Sequence, residues 1–146
     1  MELIAENLSE LKNISKVIID KIDKFPYIIH LIGDLGFGKT ALATDLIKTL
    51  GVKDLVTSPT FTFLKNYNTE KFTIYHFDLY RIDEKASIDQ IADTLNQIGY
   101  WQAIDDPNSI ILIEWPSRAI ELLTKADLTI VIERNGESRK FKLNYK

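Results

Sequence analysis

The chain has 146 residues, 45% apolar, 27% charged and 10% aromatic, the composition of an ordinary globule and about one domain's worth of material. The lack of cysteine excludes disulfides, thiolate metal sites and cysteine nucleophiles, and agrees with a reducing compartment. Eighteen basic against 21 acidic residues leave a net charge of −3, which argues against phosphate-driven, sequence-independent binding of nucleic acid as the main activity.

No apolar run approaches the ~18–20 residues of a membrane span, and MELIAENLSELKN lacks the basic-then-apolar order of a signal peptide. The expectation is a cytoplasmic protein with no membrane contact. No repeat, low-complexity tract or Pro/Gly/Ser linker divides the chain, so 1–146 reads as a single domain.

From Ser9 to Ile22 the apolar residues Leu11, Ile14, Val17, Ile18 and Ile22 recur at helical spacing, with Ser9 as the expected N-cap. After Pro26, the run YIIHLI (Tyr27 to Ile32) is nearly all apolar and rich in β-branched residues, as in a strand buried on both faces. His30 within it reads as a satisfied core residue. The stretch Gly33 to Thr40 leads into ALATDLIKTL, whose Leu42, Leu46, Ile47 and Leu50 form one stripe, with Gly51 placed to end the helix.

Thr60 to Tyr67 and Phe72 to Asp78 read as a β-hairpin, and Ser87 to Tyr100 as a helix. A second buried strand, Ile110 to Ile113, runs into Glu114, Trp115 and Pro116, with a short helix expected over Ser117 to Leu123. Leu128 to Glu133 and Arg139 to Tyr145 flank the pair Asn135-Gly136, a strong hairpin signal. The sum is a small α/β domain.

GDLGFGKT fits G-x-x-x-x-G-K-[ST], with Gly33, Gly38, Lys39 and Thr40 in the fixed places. Its setting between a buried strand and an amphipathic helix lets successive backbone N–H groups and the positive helix end wrap a polyphosphate. Lys39 is expected as a surface group reaching the outer phosphates, and the Thr40 hydroxyl as a ligand of Mg²⁺, which prefers hard oxygen donors.

Such a site needs a carboxylate at the end of a second buried strand, and Glu114, ending ILIE, is so placed. Asp78, ending TIYHFD, is the other candidate; either acid could instead face solvent or pair with Arg81 or Arg118. Thr60, after Ser58-Pro59, reads as a γ-phosphate sensor that orders on binding or as a plain strand-start threonine. Trp115 reads as packing or as a stacking partner for a base.

Thr124 to Asp127 spells [NT]-K-x-D, a guanine-reading signature. It follows a helical pattern rather than a buried strand and lacks a D-x-x-G partner after Asp78, so it reads as a helix C-terminus with Lys125 near the exposed carbonyls.

GDLGFGKT, SPTFTF, YHFDLYRI and IEWPSRA, in this order and at these separations, resemble the TsaE (YjeE) family, bacterial P-loop ATPases needed for threonylcarbamoyladenosine in tRNA. The likeness covers essentially the whole chain. It implies a P-loop NTPase-like domain with a central, mostly parallel sheet flanked by helices and β-hairpins. It implies ATP and Mg²⁺ as cofactors and two partners: TsaD, which transfers the threonylcarbamoyl group to adenosine, and TsaB. ATP binding and hydrolysis would reset or regulate the TsaB–TsaD core, with tRNA met only through the complex.

Carried over by position, the nucleotide would be bound by Gly33, Asp34, Leu35, Gly36, Phe37, Gly38, Lys39 and Thr40, with Leu35 to Thr40 on the phosphates. Thr40 and Glu114 would hold Mg²⁺, and Thr60 and Asp78 would be the switch-like and catalytic-support positions beside the catalytic Lys39 and Glu114. Ser9 falls where the family's first helix approaches the adenine, Arg118 falls near the nucleotide, and Trp115 matches the family's tryptophan.

The chain departs from the family pattern at four places. Phe37 stands where a small residue is usual, so its ring must point away from the phosphates or alter loop closure. Ala41 replaces a second threonine. The usual Gly-Arg pair of the last hairpin is Gly136-Glu137, leaving Arg139 as a substitute, and SIDQIADTLNQIGYWQAIDD poorly matches a short acidic-glycine segment.

Two other functions remain open at this point. A small-molecule kinase would need an acceptor pocket and phosphate-gripping arginines, of which only Arg81, Arg118, Arg134 and Arg139 exist. A non-hydrolysing module would use nucleotide only to fix a surface.

Overall fold

A computed structural model describes residues 1–146. Seven strands form one sheet: β1 (Glu2–Ala5), β2 (Tyr27–Ile32), β3 (Leu64–Asn68), β4 (Thr73–Asp78), β5 (Ser109–Glu114), β6 (Leu128–Asn135) and β7 (Ser138–Tyr145). Their order is β1-β7-β6-β2-β5-β4-β3. The central pairings β6·β2, β2·β5 and β5·β4 are parallel, and the outer pairings are antiparallel, so only β3 and β7 run against the other five. This is the mostly parallel sheet that the family resemblance implies.

The central strands are apolar on both sides because helices cover both faces. On one face α1 (Leu11–Asp20) and α2 (Lys39–Thr49) bury Leu11, Ile14, Ile18, Leu42, Leu46 and Ile47 against Ile29, Leu31 and Leu112. Full burial of each such side chain contributes roughly 1.5–3 kcal/mol. On the other, α3 (Ile88–Ile98) and α4 (Tyr100–Asp105) cover Ile28, Phe77, Ile111 and Ile113 with Leu95, Tyr100 and Ala103. No helix is long and apolar enough to cross a membrane.

Several element boundaries differ from the sequence expectation. The first helix is entered through a 3₁₀ turn, Leu8–Glu10, whose cap is Asn7 rather than Ser9: Ser9 N donates to Asn7 Oδ1 at 3.0 Å. The hairpin's first strand starts at Leu64, because Thr60 to Thr62 form a turn and Phe63 takes φ 64°, which breaks the extended ladder. The helix expected to reach Tyr100 stops at Ile98, where Gly99 at φ 85° redirects the chain into α4.

The helix expected over Ser117 to Leu123 is reduced to one 3₁₀ turn, Pro116–Arg118. The segment after it therefore offers no helix C-terminus to Lys125. Asp127 instead is buried beside the start of β2, where its Oδ2 accepts from Ile28 N at 2.9 Å and its Oδ1 pairs with Lys24 at 2.9 Å. The guanine-reading look-alike thus sits at the N-terminal end of the parallel strands, opposite Gly33 to Thr40. Strand β1, a short edge element, is the one strand that periodicity does not reveal.

Candidate functional site

In an open, largely parallel sheet, ligands bind beyond the carboxyl ends of the strands. Three polar groups converge there: the Gly33 to Thr40 loop after β2, Asp78 at the end of β4, and Glu114 at the end of β5. Asp78 and Glu114 are register partners on neighbouring strands, and their side chains lie on the face covered by α2. They border a cleft of about 360 Å³ together with Lys39, Thr40, Thr60 and Trp115.

The loop's backbone requires its glycines. A Cβ at Gly33 would stand 2.9 Å from Ile132 O, closer than real side chains come to backbone, and Gly38 caps α2 at φ 100°. Phe37 resolves the choice its bulk poses, because its ring packs inward on the apolar cluster beneath α1 and α2. Its carbonyl accepts from Arg139 Nε at 3.1 Å, so the last hairpin reaches back and holds the loop from outside.

Lys39 is not the surface group expected from sequence; it is 5% exposed. Its ammonium donates to Gly33 O and, at 2.9 Å, to Asp34 O, and lies 4.4 Å from the centre of the Trp115 ring. The loop curls over the start of α2, so its own carbonyls satisfy the lysine. Burial lowers the Lys39 pKa from the ordinary ammonium value, while the charges of Glu114, Asp78 and Asp34 oppose that shift.

Each buried acid is tied to a threonine. Thr40 Oγ1 donates to Glu114 Oε1 at 2.9 Å, and Thr60 Oγ1 donates to Asp78 Oδ2 at 3.0 Å. Neither acid faces solvent or pairs with Arg81 or Arg118: Glu114 is 1% and Asp78 4% exposed. Asp78 Oδ1 accepts from Tyr80 N at 3.0 Å. The hydroxyl of Thr40 and the carboxylate of Glu114 form a pair of hard oxygen donors open to the cleft, suited to a small divalent cation that keeps part of its water shell.

Trp115 holds φ 58°, a left-handed backbone that is costly for a bulky residue, and so presents its ring as a wall of the cleft. Tyr80 packs against it at a tilt of 51°, with ring centres 4.8 Å apart. Arg118 lies behind the two rings, 5.1 Å from Tyr80 and 5.5 Å from Trp115, with its guanidinium bonded to Ile82 O and Glu84. It buttresses the wall and does not line the cleft.

Of the loop residues, Leu35, Gly36 and Gly38 line the cleft, while Asp34 contributes its carbonyl to Lys39. Ser9 is exposed and lies outside the lining, just past β1 at the same end of the sheet.

Sequence reasoning missed Tyr80 and His76. His76 Nε2 lies 2.7 Å from Glu114 Oε2, fully buried. The period-2 alternation of TIYHFD carries the signal, since it sets His76 on the same face as Asp78.

The sequence of the whole chain now bears on this geometry. Residues 4–141 match the family model described as "Threonylcarbamoyl adenosine biosynthesis protein TsaE". The chain belongs to the TsaE family. It is 34% identical over 139 residues to the Rickettsia felis tRNA threonylcarbamoyladenosine biosynthesis protein TsaE, covering 94% of this chain and 75% of that one. The Haemophilus influenzae TsaE is 31% identical over 134 residues, 90% of this chain and 78% of that protein. The fold matches the crystal structure of Bacillus subtilis YdiB with a TM-score of 0.74 at 27% identity, over 99% of this chain and 84% of that one.

Proposed function

We propose that this TsaE-family chain binds ATP with Mg²⁺ at the Gly33 to Thr40 loop and hydrolyses it as the ATPase subunit of the threonylcarbamoyladenosine system of tRNA. In this reading it resets or regulates a TsaB–TsaD core, and tRNA is reached through that complex. The observation that carries the reading is the convergence of the loop's Thr40 with Glu114, at 2.9 Å, beside the buried Lys39.

The chain's own residues divide the work. Backbone N–H groups of Leu35 to Thr40 would receive the phosphates at the start of α2, where the helix end favours negative charge. Lys39 would exchange its two carbonyl acceptors for phosphate oxygens, which requires it to leave the position it holds over Trp115. Thr40 and Glu114 would hold the metal, and both offer the oxygen donors that Mg²⁺ selects. The chemistry a metal held there would supply is neutralisation of phosphate charge. Thr60 and Asp78 would close over the γ-phosphate, since their hydrogen bond joins the exposed loop to the end of β4. Trp115 and Tyr80 would exclude water from one side. Ser9 remains a candidate for the adenine, and Arg118 a support for the aromatic wall.

The test is phosphate release from ATP, with GTP as control, by the chain alone and with its cognate TsaB and TsaD. The expected result is ATP-selective turnover that rises with both partners and falls in Glu114→Ala more than nucleotide binding does. Turnover indifferent to the partners, or none under any condition, overturns the reading.

A further inference from the structure

His76 lies directly beneath the acid pair, and the nucleotide-binding residues leave it without a task. It precedes Asp78 by two positions on the same face of β4 and shares a register row with Leu112, one step below Glu114 on β5. Its register partners are Leu112 on β5 and the half-buried Lys65 on β3, and the imidazole itself is fully buried. It carries an Nδ1 with no hydrogen-bond partner, a destabilising arrangement. Its one polar contact is Nε2 with Glu114 Oε2, at 2.7 Å.

We propose that His76 is a positioning residue for Glu114: it pins one carboxylate oxygen from below so that the other is presented, with Thr40, to the divalent cation that accompanies the nucleotide. The proposal deepens the Mg²⁺–ATP reading and rests on it.

The geometry explains why the carboxylate needs a second anchor. A carboxylate accepts from both sides, and Glu114 does so, taking the Thr40 hydroxyl on Oε1 and the His76 N–H on Oε2. The flexible glutamate stem would otherwise let Glu114 turn toward Lys39, the cation that lines the same cleft. A Lys39–Glu114 ion pair would take the lysine from the phosphates and the carboxylate from the metal together. The short bond to a ring wedged between strands costs no mobile side chain and removes that option. Groups that hold a metal's ligands in place commonly matter about 10–100-fold in metal affinity.

The experiment compares wild type, His76→Leu and His76→Gln. Leucine fills similar space with no donor, whereas glutamine returns an N–H near the position of Nε2. ATP binding is titrated calorimetrically in EDTA and then against MgCl₂, and thermal unfolding of the nucleotide-free chain is recorded alongside.

The expected result is that His76→Leu binds ATP equally well in EDTA but needs about tenfold or more Mg²⁺ for its effect, while its unfolding reports the balance between the orphaned Nδ1 it removes and the donor that Glu114 Oε2 loses. His76→Gln should recover most of that requirement. An unchanged Mg²⁺ requirement in folded His76→Leu overturns the proposal. If the leucine variant does not fold, His76→Met, which also lacks a donor, takes its place: a raised Mg²⁺ requirement supports positioning, and an unchanged one overturns it. Wild-type ATP binding that ignores Mg²⁺ altogether overturns the metal reading itself, a result distinct from both variants matching a responsive wild type.

Discussion

Thr60 Oγ1 donates to Asp78 Oδ2 at 3.0 Å, joining an exposed loop to a buried acid at the end of a central strand. The same hydroxyl lies 2.6 Å from Ser58 Oγ, so the S-P-T turn is organised around Asp78 before any ligand arrives. The two residues should therefore be energetically coupled. A double-mutant cycle of Thr60→Val and Asp78→Asn, read by urea unfolding, should return a coupling of about 0.5–3 kcal/mol. Additive effects would mean that the contact is incidental, leaving Thr60 as a plain turn residue.

Gly33→Ala should destabilise the chain without touching any charged group. The added methyl would stand 2.9 Å from Ile132 O, a backbone atom of a central strand that cannot step aside. Overpacking of this kind typically costs about 1–3 kcal/mol. Gly36→Ala meets nothing within 4 Å but must hold φ 78°, so its cost is conformational and local. Chemical denaturation of both variants should place the larger loss at Gly33; equal stability with wild type would show that β6 yields.

Much of this site was legible in the sequence because its parts are local. The glycine loop, the acid after ILIE and the acid after TIYHFD each announce themselves within a few residues, and a parallel sheet brings strand ends together by construction. What escaped was set by contacts distant in sequence. Lys39 reads as an exposed helix start, and only the curl of the loop and the Trp115 ring bury it. Arg139 gains its meaning from Phe37, in the glycine loop 102 positions earlier. Phe63 and Trp115 adopt left-handed backbone against local preference, and beside them β3 begins only at Leu64 and the helix after Trp115 shrinks to one turn.

Burial of Lys39 changes what its removal should do. Lys39→Ala deletes the charge that would meet the phosphates, and a lost charge-assisted contact is typically worth about 1.5–3 kcal/mol, so ATP affinity should fall by about tenfold or more. It also strips Gly33 O and Asp34 O of their donor, so some stability should go with it. Calorimetric titration with ATP, paired with urea unfolding, separates the two effects. Unchanged affinity would remove Lys39 from the phosphate site whatever happens to stability.

The other histidine supplies a pH dependence. His30 sits in the middle of β2, is 4% exposed, and leaves Nε2 without a partner, so the expectation of a satisfied core residue is corrected. Its register neighbours on the flanking strands are Ile113 and Thr129, and Nε2 bonds to neither. Burial lowers its pKa from 6.5 to about 4.

The folded state therefore keeps His30 neutral where the unfolded chain takes up a proton. Its contribution is intact above 6.5 and is lost as the pH falls from 6.5 toward about 4, below which both states are protonated. The loss is on the order of 3 kcal/mol. His30→Leu should remove this acid-side term, so that its stability relative to wild type improves steadily as the pH is lowered through that window. Urea unfolding of both chains across the range checks it, and parallel curves would mean that water reaches His30 readily enough to protonate it in the fold.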